Sequence, residues 1–451
     1  MWTRCPTHGR RAAVMLTVCG LLLGVFATPL DAFAEPKQLT LDDALATAKK
    51  TYPGLRARRS ERTAADAQVG EAFSGYLPRV DTYVQYQRST ANWLPTPGMA
   101  GLGTTVDRDT RLGFDDTVNY ATFGVVLTQP IYDFGKTGGR VDAARAQESF
   151  ADANLDASEQ DVEVAIRVAY YAVLAAQEAV QVAEETRQNQ ARHLEQIRKL
   201  VEAGSRTKYD LVSAELKLDD ADLALLRAQN GLRTARVRLN NAMGLDGDGD
   251  FVVVEPTTED TALELQSPEA LMAVAVKHRP ELAKSTAQIA VRRADHNAAW
   301  AGYLPDLVAT GSFNGAKVED LDTGFNWYVG VGLTWRVFEG LRTYRRSEAT
   351  EALTVAAEAD DERLRQSVQT EIRVQFMAVD EAQRRTKVAE RAVATAREKL
   401  RLAEGRYDAG SGNVLELEDA QVAYSSARFQ SVQARYDLAV ARVLLRRAVG
   451  A

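Results

Sequence analysis

The residues able to do covalent or metal chemistry are few, and their spacing does not suit it. Beyond residue 34 the histidines are His193, His278 and His296, and none falls in a His-Glu-x-x-His arrangement. No Gly-x-Ser-x-Gly elbow and no Walker loop occurs. Both cysteines, Cys5 and Cys19, lie in the N-terminal segment, so the remainder has no thiol for a disulfide or a soft metal. Asp246-Gly247-Asp248-Gly249-Asp250 starts like a calcium loop, but Phe251 stands where an EF-hand turns on Gly, and Thr257 where it places its bidentate Glu. The expectation is a protein that is not an enzyme and holds no metal or cofactor. Any function must come from what its structural elements enclose.

Those elements begin after an expected signal peptide over residues 1–34. Arg4, Arg10 and Arg11 precede an apolar run from Ala12 to Ala27, followed by the small-x-small site Ala32-Phe33-Ala34. The run is about 16 residues, short of the ~20 that span a bilayer. Val18 before Cys19 argues against a lipid anchor there. Removing the segment makes a chain of formal charge −7 more acidic, which argues against nucleic acid as a partner. No later apolar run suits a transmembrane helix, so membrane passage would fall to β-strands.

The chain repeats itself. Tyr52-Pro53-Gly54-Leu55 matches Arg279-Pro280-Glu281-Leu282, and Gly75-Tyr76-Leu77-Pro78 matches Gly302-Tyr303-Leu304-Pro305, both at an offset of 227 (279 − 52). Leu127-Thr128 matches Leu333-Thr334, and Ala203-Gly204-Ser205 matches Ala409-Gly410-Ser411, now at 206 (333 − 127). Copy one therefore carries 21 extra residues (227 − 206), expected as an exposed Pro- and Gly-rich loop near Ser89 to Asp116. The repeats are assigned to 35–255 and 256–451, each running helix, strand, loop, strand, very long helix, turn, long helix. Thr40 and Ser267 read as N-caps of the first helices, which should end near Tyr76 and Tyr303 at the Leu-Pro steps.

The strands alternate with period two. Trp327, Val329, Val331, Leu333 and Trp335 share one face, Leu307, Ala309, Gly311 and Phe313 another such face, and Ala121, Phe123, Val125 and Leu127 repeat it in copy one. Eight residues at ~3.3 Å put Trp327 and Trp335 about 26 Å apart, close to the apolar band of an outer-membrane barrel with its aromatic girdles. Four strands cannot close such a barrel, so a usable pore needs at least three chains.

Between Gly139 and Gly204, and again from Arg345 to Glu404, no Pro or Gly interrupts the helical pattern. These are rods on the order of 95 Å. The returning helix places Leu211, Leu218, Leu225, Leu232 and Leu239 seven apart, each followed three later by Ala214, Ala221, Ala228, Ala235 and Ala242, a coiled-coil seam. In copy two the Ala row persists at Ala420, Ala427, Ala434, Ala441 and Ala448, while Tyr424 and Ser431 loosen the Leu row.

With the duplicated Tyr-Leu-Pro, the segments Thr128-Gln129-Pro130-Ile131-Tyr132-Asp133-Phe134-Gly135 and Thr334-Trp335-Arg336-Val337-Phe338-Glu339-Gly340, and the turns around Gly204 and Gly410, the chain resembles the TolC family of outer-membrane efflux proteins. The resemblance covers nearly all of the chain after residue 34. It implies a mainly α fold with β: a homotrimer with a twelve-stranded barrel in outer-membrane lipid and an antiparallel helical tunnel across the periplasm. It implies hairpin tips at Gly204, Ser205, Gly410 and Ser411 that dock a periplasmic adaptor, itself serving an inner-membrane transporter. Glu416 and Asp419 match an acidic ring at the periplasmic entrance. Tyr407 and Asp210 match two members of a latch that keeps it shut, but Gly412 stands where the family has Arg, and Arg206 or Arg406 could substitute. Residues 246–255 would join a mid-tunnel equatorial region. The expected role is an exit path for drugs, toxic compounds or metal ions; type I protein secretion and a poreless periplasmic scaffold are the alternatives.

Overall fold

The computed structural model describes residues 37–90, 117–247, 249, 251–256, 262–318, 322–409 and 411–450. The expected signal peptide, most of the expected loop after Ser89, Asp248, Asp250 and Gly410 lie outside them. The order is β1 (Lys37–Leu39), α1 (Leu41–Thr51), α2 (Pro53–Phe73), β2 (Arg79–Thr90), β3 (Thr117–Tyr132), α3 (Lys136–Glu202), α4 (Lys208–Met243) and β4 (Phe251–Val253). Then come α5 (Pro268–His278), α6 (Pro280–Trp300), β5 (Asp306–Val318), β6 (Gly324–Thr334), α7 (Arg342–Asp408) and α8 (Val414–Val449).

Thr40 caps α1 by accepting the Asp43 N–H at 3.2 Å, and Ser267 caps α5 by accepting that of Ala270 at 3.3 Å. The single helix expected in each copy is two. Tyr52 and Arg279 precede prolines whose rings exclude the helical conformation for the residue before, and their ψ values of 116° and 115° turn the chain between helices. The prolines then open α2 and α6, where their missing N–H costs nothing.

The rods α3 and α7 are 67 residues each, about 100 Å at 1.5 Å per residue. Helix α3 starts before its glycine-free stretch, since it takes in Gly138 and Gly139. A Cβ on Gly139 would sit 3.0 Å from the Ala298 Cα, so glycine is what lets α3 touch α6. Helices α4 and α8, 36 residues each, return along them. The five Ala of the α8 row are all buried, as are Ala214, Ala221 and Ala235 of α4, whereas Leu239 is the one residue of the α4 Leu row that is fully buried. Small side chains make the closest approach, and the larger Leu row lies along its margin. Contacts of α3 with both α4 and α8 set the two hairpins side by side.

Halfway along α3, a parallel ribbon of β1 and β4 lies across the helices, with Lys37 opposite Phe251 and Leu39 opposite Val253. The Tyr170 hydroxyl donates to the carbonyls of Leu39 and Val254, and Gln177 both donates to and accepts from Val253. This ribbon seals the largest apolar core, built from Leu55, Ile166, Tyr170, Val173, Leu239 and Met243. Sequence periodicity could not show β1, because three residues carry no period.

Candidate functional site: an amphipathic sheet and two hairpin tips

Strands β2, β3, β5 and β6 form one antiparallel sheet in the order β2-β3-β5-β6. Directly paired residues share a face. The pairs Val84↔Phe123, Val125↔Phe313, Phe313↔Trp327 and Gly311↔Val329 therefore join the apolar rows of both copies into one continuous surface. Phe325 stacks on Phe313 at 5.7 Å and meets Phe123 edge-on at 6.2 Å. Trp327, Val329, Val331 and Leu333 are all more than 60% exposed in the single chain, which in water would be costly and in lipid is favourable. Trp335 departs from expectation: β6 ends at Thr334, and the Trp335 indole N–H donates to the Tyr303 carbonyl at 3.0 Å. It is still exposed, one residue beyond the strand.

The other face is polar. Tyr83 donates to Asn314 Oδ1 at 3.0 Å, Asn314 Nδ2 donates to Ser312 at 2.9 Å, and Tyr120 donates to Gln87 at 2.6 Å. Polar within and apolar without is the arrangement of a barrel that encloses water. Sharp elbows connect it to the rods. At the first, Asp133 accepts the N–H groups of Gly135 and Thr137, and Lys136 reaches Asp306 at 2.6 Å, tying one copy's elbow to the other's strand.

At the far end of the rods the first turn is closed by Gly204 in the left-handed region (φ 72°), with Ser205 N–H bonded to the Leu200 carbonyl at 2.8 Å. Gly204 and Ser205 are exposed, as a docking tip requires. Asp210 is engaged in a capping box with Thr207, accepting its N–H at 3.0 Å and its hydroxyl at 2.9 Å. The Thr207 backbone N–H, then its hydroxyl, holds the Asp210 carboxyl below its usual range. Its carboxylate thus serves its own helix, and no contact brings it to Tyr407.

In the second tip the N–H groups of Ser411 and Gly412 both reach the Arg406 carbonyl, at 3.0 and 2.8 Å. A Cβ on Gly412 would meet Tyr407 N at 2.9 Å and Arg406 C at 3.0 Å, so no arginine fits this turn. The two arginines left open by the sequence have different partners. Arg406 pairs with Glu416 at 2.8 Å, while the Arg206 guanidinium crosses from the first tip to cover the Tyr407 ring at 5.3 Å. His193 on α3, which sequence reasoning passed over, packs against the Tyr407 ring at 6.0 Å. Asp419, one turn after Glu416, is exposed. Among the described residues no cluster of His, Cys, Asp and Glu could hold a metal ion, and no helix is long and apolar enough to cross a membrane.

A sheet apolar on one side and polar on the other, continued by paired rods about 100 Å long, defines a channel subunit that enters the outer membrane by its strands and spans the periplasm by its helices. A poreless rod would have no use for the apolar sheet face. The chain belongs to the outer membrane efflux protein family, whose sequence model matches residues 44–245 and 271–451. It is similar to the outer membrane protein TolC of Vibrio cholerae, 23% identical over 410 residues that cover 89% of each chain. It is also similar to the proteases secretion protein PrtF of Dickeya chrysanthemi, 25% identical over 95% of this chain and 89% of that one. The Campylobacter jejuni CmeC outer membrane channel shares the fold, with a TM-score of 0.78 at 17% identity over 91% of this chain and 85% of that one. The protein is an outer-membrane efflux channel subunit.

Proposed function

We propose that three copies of this chain close a twelve-stranded barrel and a periplasmic tunnel, through which small molecules handed over by an inner-membrane transporter leave the cell. The observation that carries this reading is the open sheet. Among the described residues β2 and β6 each pair on one side only, and an unpaired strand edge in lipid costs several kcal/mol per unsatisfied group. Further copies joined edge to edge remove every such group. In this reading a periplasmic adaptor docks at the tips through Gly204, Ser205, Gly410 and Ser411. Tyr407 belongs to the entrance latch, Asp210 stiffens the first tip, and Glu416 and Asp419 line the entrance as an acidic ring favouring cations. Trp327 and Trp335 mark the two membrane borders.

The test is reconstitution of the detergent-purified protein in planar bilayers, alongside drug and metal sensitivity of a deletion strain. Heat-modifiable trimers, single-channel conductance, and drug or metal sensitivity of the deletion strain that the wild-type gene reverses to resistance are expected. A monomer without conductance would refute it. A second reading, exit of a secreted protein, is favoured by the likeness to a proteases secretion protein over 95% of this chain. It predicts a protein lost from the medium of the deletion strain with drug and metal sensitivity unchanged.

A further inference from the structure

Beside the tips lies a buried titratable side chain that no role above employs. His193 is 5% exposed, with its ring against Tyr407 and with Arg206 covering the same Tyr407 ring. These three come from α3, from the turn after it and from the end of α7, so the packet bridges the two hairpins. The Tyr407 hydroxyl is buried without a hydrogen-bond partner among the described residues, so the packet is held by ring contacts and by apolar packing on Ala403, Leu417 and Ala420.

We propose that His193, Tyr407 and Arg206 form a proton-operated latch, in which protonation of His193 parts the two hairpins at the periplasmic entrance. This rests on the reading of the tips as that entrance. A neutral imidazole can sit buried beside an aromatic ring that a guanidinium already covers. A protonated one puts two cations around a single tyrosine in a site with little water. The groups facing His193 are Arg206 from the turn and Glu418 from α8. Asp210 acts on Arg206 from α4, and Arg406 and Glu416 neutralise each other on the second hairpin.

Burial is the largest influence on His193 and disfavours its charge; Glu418 opposes this, and Arg206 reinforces it, for a net downward shift. A base shifted down in the packed state favours packing fully above its ordinary value of 6.5, and that contribution is lost as the pH falls below it. Acid therefore opens the latch. One proton per latch limits the change in its open-to-closed ratio to about tenfold per pH unit.

The experiment uses the full-length trimer in planar bilayers, with the solution at the tips titrated from about pH 7.5 to about pH 5, the range in which histidine changes charge. Open probability should rise on acidification in the wild type and stay flat in His193→Gln. Arg206→Gln should be more open already at neutral pH. If His193→Gln does not assemble, His193→Phe, which keeps the buried ring without a proton site, gives the same comparison. Protonating Glu416 and Asp419 would lower cation preference rather than raise open probability, so ion selectivity is recorded in the same traces. A wild type that ignores pH, or a variant that keeps the acid response, overturns the latch while leaving the channel standing. A trimer that never conducts, Tyr407→Ala included, overturns the channel reading and the latch with it.

Discussion

The Tyr170 hydroxyl lies 3.0 Å from the carbonyl oxygen of Leu39, a residue 131 positions earlier in the chain, and 2.5 Å from that of Val254. One buried side chain, midway along a 67-residue helix, thus pins both strands of the small ribbon. Tyr170→Phe takes a donor from the Val254 carbonyl and one of the two from the Leu39 carbonyl, which keeps the Val254 N–H at 3.3 Å, and should cost about 1–3 kcal/mol, read as a lower melting temperature of the detergent-solubilised protein. Burial pushes the hydroxyl up to about 12 from 10.0, so its contribution is whole below pH 10 and is lost as the pH rises toward 12. An unchanged melting temperature in Tyr170→Phe would show that the ribbon is held by other contacts.

The acidic entrance ring should be unequal. Glu416 is paired with Arg406, which cancels part of its field, whereas Asp419 is exposed. Asp419→Asn is expected to reduce cation selectivity more than Glu416→Gln, measured as reversal potential across a salt gradient. Equal effects would mean that the Arg406 pair opens in the assembled channel.

The apolar sheet face predicts sensitivity to charge. Val331→Lys places an ammonium midway between Trp327 and Trp335 on the exposed apolar row and should cost about 2–4 kcal/mol at mid-bilayer, seen as loss of heat-modifiable trimer from the membrane fraction. Gly330→Ser is the control. It points to the opposite face, where no described atom lies within 4 Å of an added Cβ, and should assemble normally. Similar loss in both would refute the assignment of faces.

Two glycines of the rods should respond in opposite senses. In Gly139→Ala the new Cβ would lie 2.7 Å from the Ala298 Cβ, forcing α3 off α6 at a cost of about 1–3 kcal/mol. Gly231→Ala, in the body of α4 with no described atom within 4 Å, should stabilise by roughly 0.4–1 kcal/mol through a less flexible unfolded chain. Melting temperatures of the two variants decide the matter.

The sequence alone determined what depends on local periodicity. Three of the four strands followed from alternation and β2 from the repeat, the rods from long stretches without Pro or Gly, and the hairpin turns from Gly204 and its counterpart, because each is written within a few neighbouring residues. The N-caps Thr40 and Ser267 were legible for the same reason. Breaks at Tyr52 and Arg279 were also within reach, since each precedes a proline, but the helical pattern on both sides masked them. Only the tertiary structure decided which strand rows share a face, because register joins residues some 190 positions apart, as in Val125↔Phe313. It also decided what surrounds Tyr407. Asp210, matched by position, is held by Thr207 beside it, and Gly412 leaves no room for a side chain. Arg206 reaches Tyr407 only because two hairpins far apart in sequence lie side by side. Local spacing fixes what each segment becomes, whereas the pairing of charges and rings across segments is set by packing, which no single stretch of sequence contains.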